Sequence, residues 1–185
     1  MQRRDRLLDA AIALIGERGI GAITHRGVAA RAGLPPATTS YFFASIDELL
    51  VAAMRRVTDA AVTGLREITE RVTTEGDDPR AALEYAITAF AMPPAATVAQ
   101  FETYLEASRR PELRTEVERV LNAFEDLVVT GFNSVGVAVT PIQARAFVAV
   151  IDGFTLHRVA ARDDPDHETA LRLAVMALFD TFTRQ

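Results

Sequence analysis

The chain has 185 residues, 49% of them hydrophobic and 24% charged, with a net charge of −5. That balance suits a soluble globular protein with a sizeable core and excludes a disordered tail. There is no cysteine, which excludes disulfide frameworks, thiolate metal sites and cysteine nucleophiles together and fits a reducing cytoplasm.

No apolar run approaches the roughly 20 residues of a membrane span, and the N-terminal "MQRRDRLLDAAIALIGERG" has no small-residue cleavage site after it. An unprocessed, unanchored, cytoplasmic protein is expected. All twenty basic residues are arginine, and they are unevenly spread: from Met1 to Ile46 six arginines face only Asp5, Asp9 and Glu17, a local +3 that leaves −8 for the remainder. Such a split allows a nucleic-acid-facing head on an acidic body.

Apolar positions recur at helical spacing throughout, and no alternating stretch is long enough for a strand. The pattern predicts an all-α fold of about nine helices over 4–18, 25–32, 36–42, 46–75, 79–91, 95–109, 111–135, 141–161 and 165–183. Leu7, Leu8, Ala11, Leu14 and Ile15 give the first helix its core stripe, and Gly19 is placed to end it. Proline marks helix starts at Pro79, Pro111, Pro141 and Pro165, where a first turn has no use for its N–H. Ser45 with Glu48, and Thr140 with Gln143, have capping-box spacing. Three short helices followed by longer ones suggest a head over 1–46 and a helical body over 47–185.

Within the head, Thr24 can cap a helix through "HRGVAARAG", Gly33 can take the left-handed conformation that turns the chain, Leu34 can plug the corner, and Pro35-Pro36 can fix the start of the next helix. This is helix-turn-helix spacing, in which the second helix lies in the major groove. Ala37, Thr38, Thr39 and Ser40 are short enough to bring backbone near base edges, Tyr41 can donate to a phosphate, and Phe42 and Phe43 fit the core. The same geometry also occurs in bundles that never touch DNA. There His25 and Arg26 would be solvated residues and Tyr41 a buried aromatic.

The run from "LLDAAIALIGERG" through "ITHRGVAARAGLPPATTSYFFASIDELL" resembles the TetR family of transcriptional regulators, and "VIDGFTLHRVA" is more weakly similar to that family's interface helix. The resemblance implies a homodimer that binds a palindromic double-stranded DNA operator through two heads, usually as a repressor, and answers to a small-molecule effector in its body. It places DNA contacts at Thr24, His25, Arg26, Pro36, Ala37, Thr38 and Tyr41, with Thr39 and Ser40 beside them. The family often has lysine where this chain has Pro36 and Ile46, so phosphate attraction would rest more on Arg26, N-terminal arginines, hydroxyls and backbone N–H groups, with a shallower salt dependence.

For the body, the resemblance implies an effector held by the middle helices, where the candidate lining is Phe101, Tyr104, Leu105, Phe124, Val128, Phe132 and Phe154, which suits an apolar effector of modest size. Asp152 and His157 are candidate polar handles, though either also fits a structural role. Gly153, Ala160, Ala161, Ala170, Ala174 and Ala177 on the last two helices would allow close packing across a two-fold four-helix interface. An enzyme is the rival class, but no phosphate-binding glycine loop or paired-histidine zinc motif is present and His25, His157 and His167 are scattered, so neither metal nor cofactor is expected. A ligand-binding helical protein, or a dimerisation scaffold, that has lost DNA affinity would share the same helical pattern. Operator, effector and the sign of regulation are not encoded legibly.

Overall fold

A computed structural model describes residues 3–75, 78–89, 92–161 and 164–183. Its described residues form nine α-helices and one short 3-10 turn. In chain order these are α1 (Arg3–Arg18), the turn Ile20–Ala22, α2 (His25–Arg31), α3 (Ala37–Phe42), α4 (Ile46–Glu75), α5 (Pro79–Ala89), α6 (Pro94–Ala107), α7 (Pro111–Ser134), α8 (Pro141–Ala160) and α9 (His167–Thr183).

The starts follow the capping chemistry. Thr24 Oγ1 accepts from Gly27 N at 3.0 Å to open α2, and Thr140 and Gln143 exchange both bonds of a capping box at α8. At α4, Ser45 Oγ accepts from Glu48 N, but the Glu48 carboxylate reaches back to Ala44 N, one residue beyond the expected box. Two features differ from the sequence-based expectation. The chain inserts the 3-10 turn after Gly19, whose φ of 78° ends α1. Helix α9 begins at His167 instead of Pro165, because the Asp164 carboxylate accepts from Asp166 N and holds a turn there first. The expected ends of α5 at 90–91 lie outside the described residues.

The chain divides into two compact units: 1–60 with 92–120, and 61–91 with 121–185. This division follows packing, and it differs from the expected head boundary near 46 because α6 and the first part of α7 pack with the N-terminal helices. In the first unit, Leu7, Leu8, Ala11, Leu14 and Ile15 of α1 meet Val28, Phe43, Leu49, Leu50, Ala99 and Leu113 in one buried cluster. At roughly 1.5–3 kcal/mol per fully buried large side chain, this cluster is the main source of stability for the short α2 and α3, which cannot hold helical form alone. Helix α1 lies so close to α6 that a Cβ at Gly16 would stand 2.7 Å from Ala95 Cα. The second unit is centred on Phe132, which meets Phe147 edge-on at 5.3 Å, stacks on Phe179 at 5.9 Å, and touches Phe182 at 6.4 Å. Among the described residues no helix is long and apolar enough to cross a membrane.

Candidate nucleic-acid interface

The turn between α2 and α3 is built by its hydrogen bonds. Gly33, at φ 63°, donates to Ala30 O at 3.1 Å, and Leu34 N donates to Ala29 O at 2.9 Å. This pair is a Schellman motif, and Leu34 completes it by packing against the core. Arg6 of α1 donates from Nη2 to Ala32 O, so an arginine from the preceding helix caps the carbonyl end of α2. Sequence reading missed this bond because its partners are 26 residues apart.

Structure also sorts the head's arginines, which composition cannot. Arg4 lies over the Phe43 ring at 5.4 Å, Arg6 holds the turn, and Arg31 pairs with Glu17. Arg26 stands exposed on the first turn of α2 and makes no ion pair among the described residues. All six head arginines are exposed, and among the described residues Arg31 alone of them is offset by an ion pair.

Of the expected DNA-facing residues, Thr24, Arg26, Pro36, Ala37, Ser40 and Tyr41 are exposed and Thr38 is half-buried. Tyr41 is 83% exposed, its ring held edge-on against Phe42 at 5.1 Å. His25 is half-buried, with Nδ1 enclosed and unpartnered among the described residues. Thr39 is a correction: it is fully buried beneath α3, so its side chain cannot reach DNA. Phe43 is buried and Phe42 packs against the same core, as expected.

Helix α6 touches this head directly. Glu102 accepts from Ile20 N at 3.1 Å, at the joint before α2. Just beyond α6, Arg110 donates to Asp47 on the first turn of α4 at 2.6 Å and to Glu106 at 2.8 Å. The Asp47 bond, the largest cause, raises the Arg110 pKa above its ordinary value, so the guanidinium end of this link stays charged.

The candidate effector residues fall in both units. In the first, Phe101 meets Tyr104 edge-on at 5.9 Å. Leu105 is a correction: at 64% exposed it faces solvent from α6 among the described residues. In the second, Phe124 is buried, Val128 packs against the aromatic cluster, Phe132 is the hub of that cluster, and Phe154 meets His167 at 5.6 Å. Burial pushes the Asp152 carboxyl from 3.8 up to about 6, while His157 is exposed.

On α8, Ile142, Ala146, Ala149, Leu156 and Ala160 are exposed and Gly153 is half-buried. At 100° per residue they share an arc of about 80°. On α9, Ala170, Leu173 and Ala177 are exposed and Ala174 half-buried, and Ala161 is exposed just past α8.

A short capped helix, a glycine turn and a second short helix with a buried inner face and a small-residue outer face define a helix-turn-helix DNA-binding protein. Comparison with known proteins agrees. Residues 7–53 match the family described as bacterial regulatory proteins, tetR family, and residues 75–181 match the tetracyclin repressor-like C-terminal domain. The HTH-type transcriptional regulator BetI of Brucella melitensis biotype 2 is 26% identical over 181 residues, 92% of this chain and 87% of its own. A TetR-family member of Streptomyces coelicolor A3, SCO1917, superposes with a TM-score of 0.75 at 31% identity, covering 96% of this chain and 98% of that one. The multidrug binding protein EbrR, in its ethidium complex, gives 0.71 at 31% identity over 96% and 98%. The chain belongs to the TetR family and is a helix-turn-helix transcriptional regulator.

Proposed function

We propose that the chain acts in the cytoplasm as a homodimeric repressor without enzymatic activity, reading a palindromic operator through α3 and releasing or gripping it as an effector occupies the helical body. The observation that carries this reading is the outer face of α2 and α3. Thr24, Arg26, Ala37, Ser40 and Tyr41 are exposed together, while Val28, Ala29, Thr39 and Phe43 beneath them are fixed in the core. Arg26 supplies phosphate attraction, Tyr41 a hydroxyl to the backbone, and the short α3 side chains let the helix approach base edges.

The exposed apolar stripes of α8 and α9 support the dimer, since a two-fold axis pairs each stripe with its copy. The effector reading rests on Phe101 and Tyr104, which stand edge-to-face on α6. EbrR, similar over nearly its whole length, has been captured with ethidium, proflavin and imidazole, all nitrogen-bearing aromatics. A like ligand class is proposed here. Helix α6 is the proposed transmitter: Phe101 and Tyr104 share it with Glu102, which holds Ile20 N, and its end leads to the Arg110–Asp47 pair. A ligand that shifts α6 biases both attachments of the head, a coupling of typically about 1–3 kcal/mol.

Fluorescence anisotropy with DNA flanking the protein's own gene, in a salt series against scrambled DNA, tests the reading. Wild type should bind tightly and in a salt-sensitive way, and Arg26→Ala and Tyr41→Ala should each weaken binding by roughly five- to fiftyfold. No preference for flanking DNA, followed by failure to select any sequence from a random pool, would sink it.

A further inference from the structure

Helix α6 carries three buried polar side chains, Thr97, Gln100 and Thr103. Two satisfy themselves on their own helix: Thr97 Oγ1 donates to Pro93 O at 3.2 Å and Thr103 Oγ1 to Ala99 O at 2.7 Å. Gln100 does not. Its Nε2 donates to the Tyr104 hydroxyl at 3.0 Å, and its Oε1 is buried with no hydrogen-bond partner among the described residues. A buried amide oxygen without a donor is a standing cost that leucine at the same position would not carry. Beside it stands the edge-to-face pair of Phe101 and Tyr104, an aromatic wall one residue and one turn away on the same helix.

We propose that Gln100 is the polar anchor of the effector site, its Oε1 accepting a hydrogen bond from an exocyclic amine of a planar aromatic ligand. This inference rests on the reading of the body as an effector-binding domain and adds the chemical group that selects the ligand. With Nε2 donating to the Tyr104 hydroxyl, the carbonyl oxygen is the open end of the amide. Aromatic side chains alone would accept any flat apolar molecule. An acceptor held in a dry site discriminates further, because a ligand lacking the donor leaves the oxygen unpaired.

Two acridinium dyes of the same charge isolate that group: 3,6-diamino-10-methylacridinium, which carries exocyclic N–H donors, and 10-methylacridinium, which carries none. Both are titrated by fluorescence into wild type, Gln100→Leu and Gln100→Met, with thermal unfolding of each variant without dye. The diamino dye should bind wild type at least about tenfold more tightly than 10-methylacridinium, and both variants should erase that difference by weakening the diamino dye alone. Without dye, neither variant should melt well below wild type, since the unpaired oxygen goes together with the bond to the half-buried Tyr104 and the two changes offset. Wild type that binds both dyes equally, with the variants unchanged, overturns the anchor and leaves the effector reading intact. Variants that melt well below wild type and lose both dyes alike make Gln100 a structural residue and overturn the anchor too. Wild type that binds neither dye overturns both the aromatic-effector reading and the anchor.

Discussion

Gly16→Ala is a substitution whose sign the structure reverses. Gly16 sits within α1, and replacing a helical glycine by alanine ordinarily stabilises by about 1 kcal/mol. Here the new Cβ would meet Ala95 Cα at 2.7 Å, Ala95 Cβ at 2.8 Å and Ala95 O at 3.0 Å. Relaxed carbon contacts lie near roughly 3.5–4.0 Å, and the obstacles are backbone and a Cβ that cannot rotate away, so α1 and α6 must separate by roughly 1 Å. Overpacking of this kind costs roughly 1–3 kcal/mol. After the propensity gain, a net loss of about 1 kcal/mol remains, or about 2–4 °C in melting temperature for a chain of this size. Gly64→Ala is the control, because a Cβ there meets nothing within 4 Å; it should raise the melting temperature by a similar amount. Scanning calorimetry of the three proteins decides the matter. If Gly16→Ala is stabilised as Gly64→Ala is, the close approach of α1 and α6 is wrong.

Thr39→Val keeps the shape of a fully buried residue and deletes a hydroxyl without a partner among the described residues. Stability should hold or rise by up to about 1 kcal/mol with operator affinity within about twofold, and a tenfold loss of affinity would return Thr39 to the DNA-facing set. Leu173→Glu, on the exposed stripe of α9, would place like charges across the proposed two-fold axis; light scattering should show monomers at micromolar concentration where wild type is dimeric, and persistent dimers would remove this stripe from the proposed interface. For Asp152, burial raises the folded pKa from 3.8 to about 6. The native state therefore disfavours its charged form: no penalty exists below about pH 4, it develops between about 4 and 6, and it is complete above about 6, at most about 3 kcal/mol. Asp152→Asn should match wild type at about pH 4 and unfold at higher temperature than wild type at about pH 7; equal melting curves at both values would contradict that environment.

Local chemistry made most of the fold legible. Thr140 with Gln143, Thr24 before α2, and prolines at the starts of α5, α7 and α8 act within one turn of chain, so their effects can be read in order. The α1 stripe needed only helical periodicity. What stayed hidden depends on distant partners or on fine distinctions of face. Thr38, Thr39 and Ser40 have nearly equal polarity, and in a six-residue helix no periodicity shows that the middle one points inward. Leu105 has a core residue's chemistry on a solvent-facing position of α6. The bonds from Arg6 to Ala32 and from Glu102 to Ile20 join residues 26 and 82 apart, beyond any local pattern. The site's scaffold was therefore readable, while its supports and the sorting of its charges were not.

The two-sided character of α6 bears on how such a protein can change over generations. Ala95, Ala99 and Glu102 serve α1 and the joint before α2, whereas Gln100, Phe101 and Tyr104 lie around the helix from them. A gene duplicate could drift at the second set, acquiring a new chemical cue, while the first set preserves the inherited output. On the proposed role of α6, sensing and responding are heritable as separable traits carried on fourteen consecutive residues.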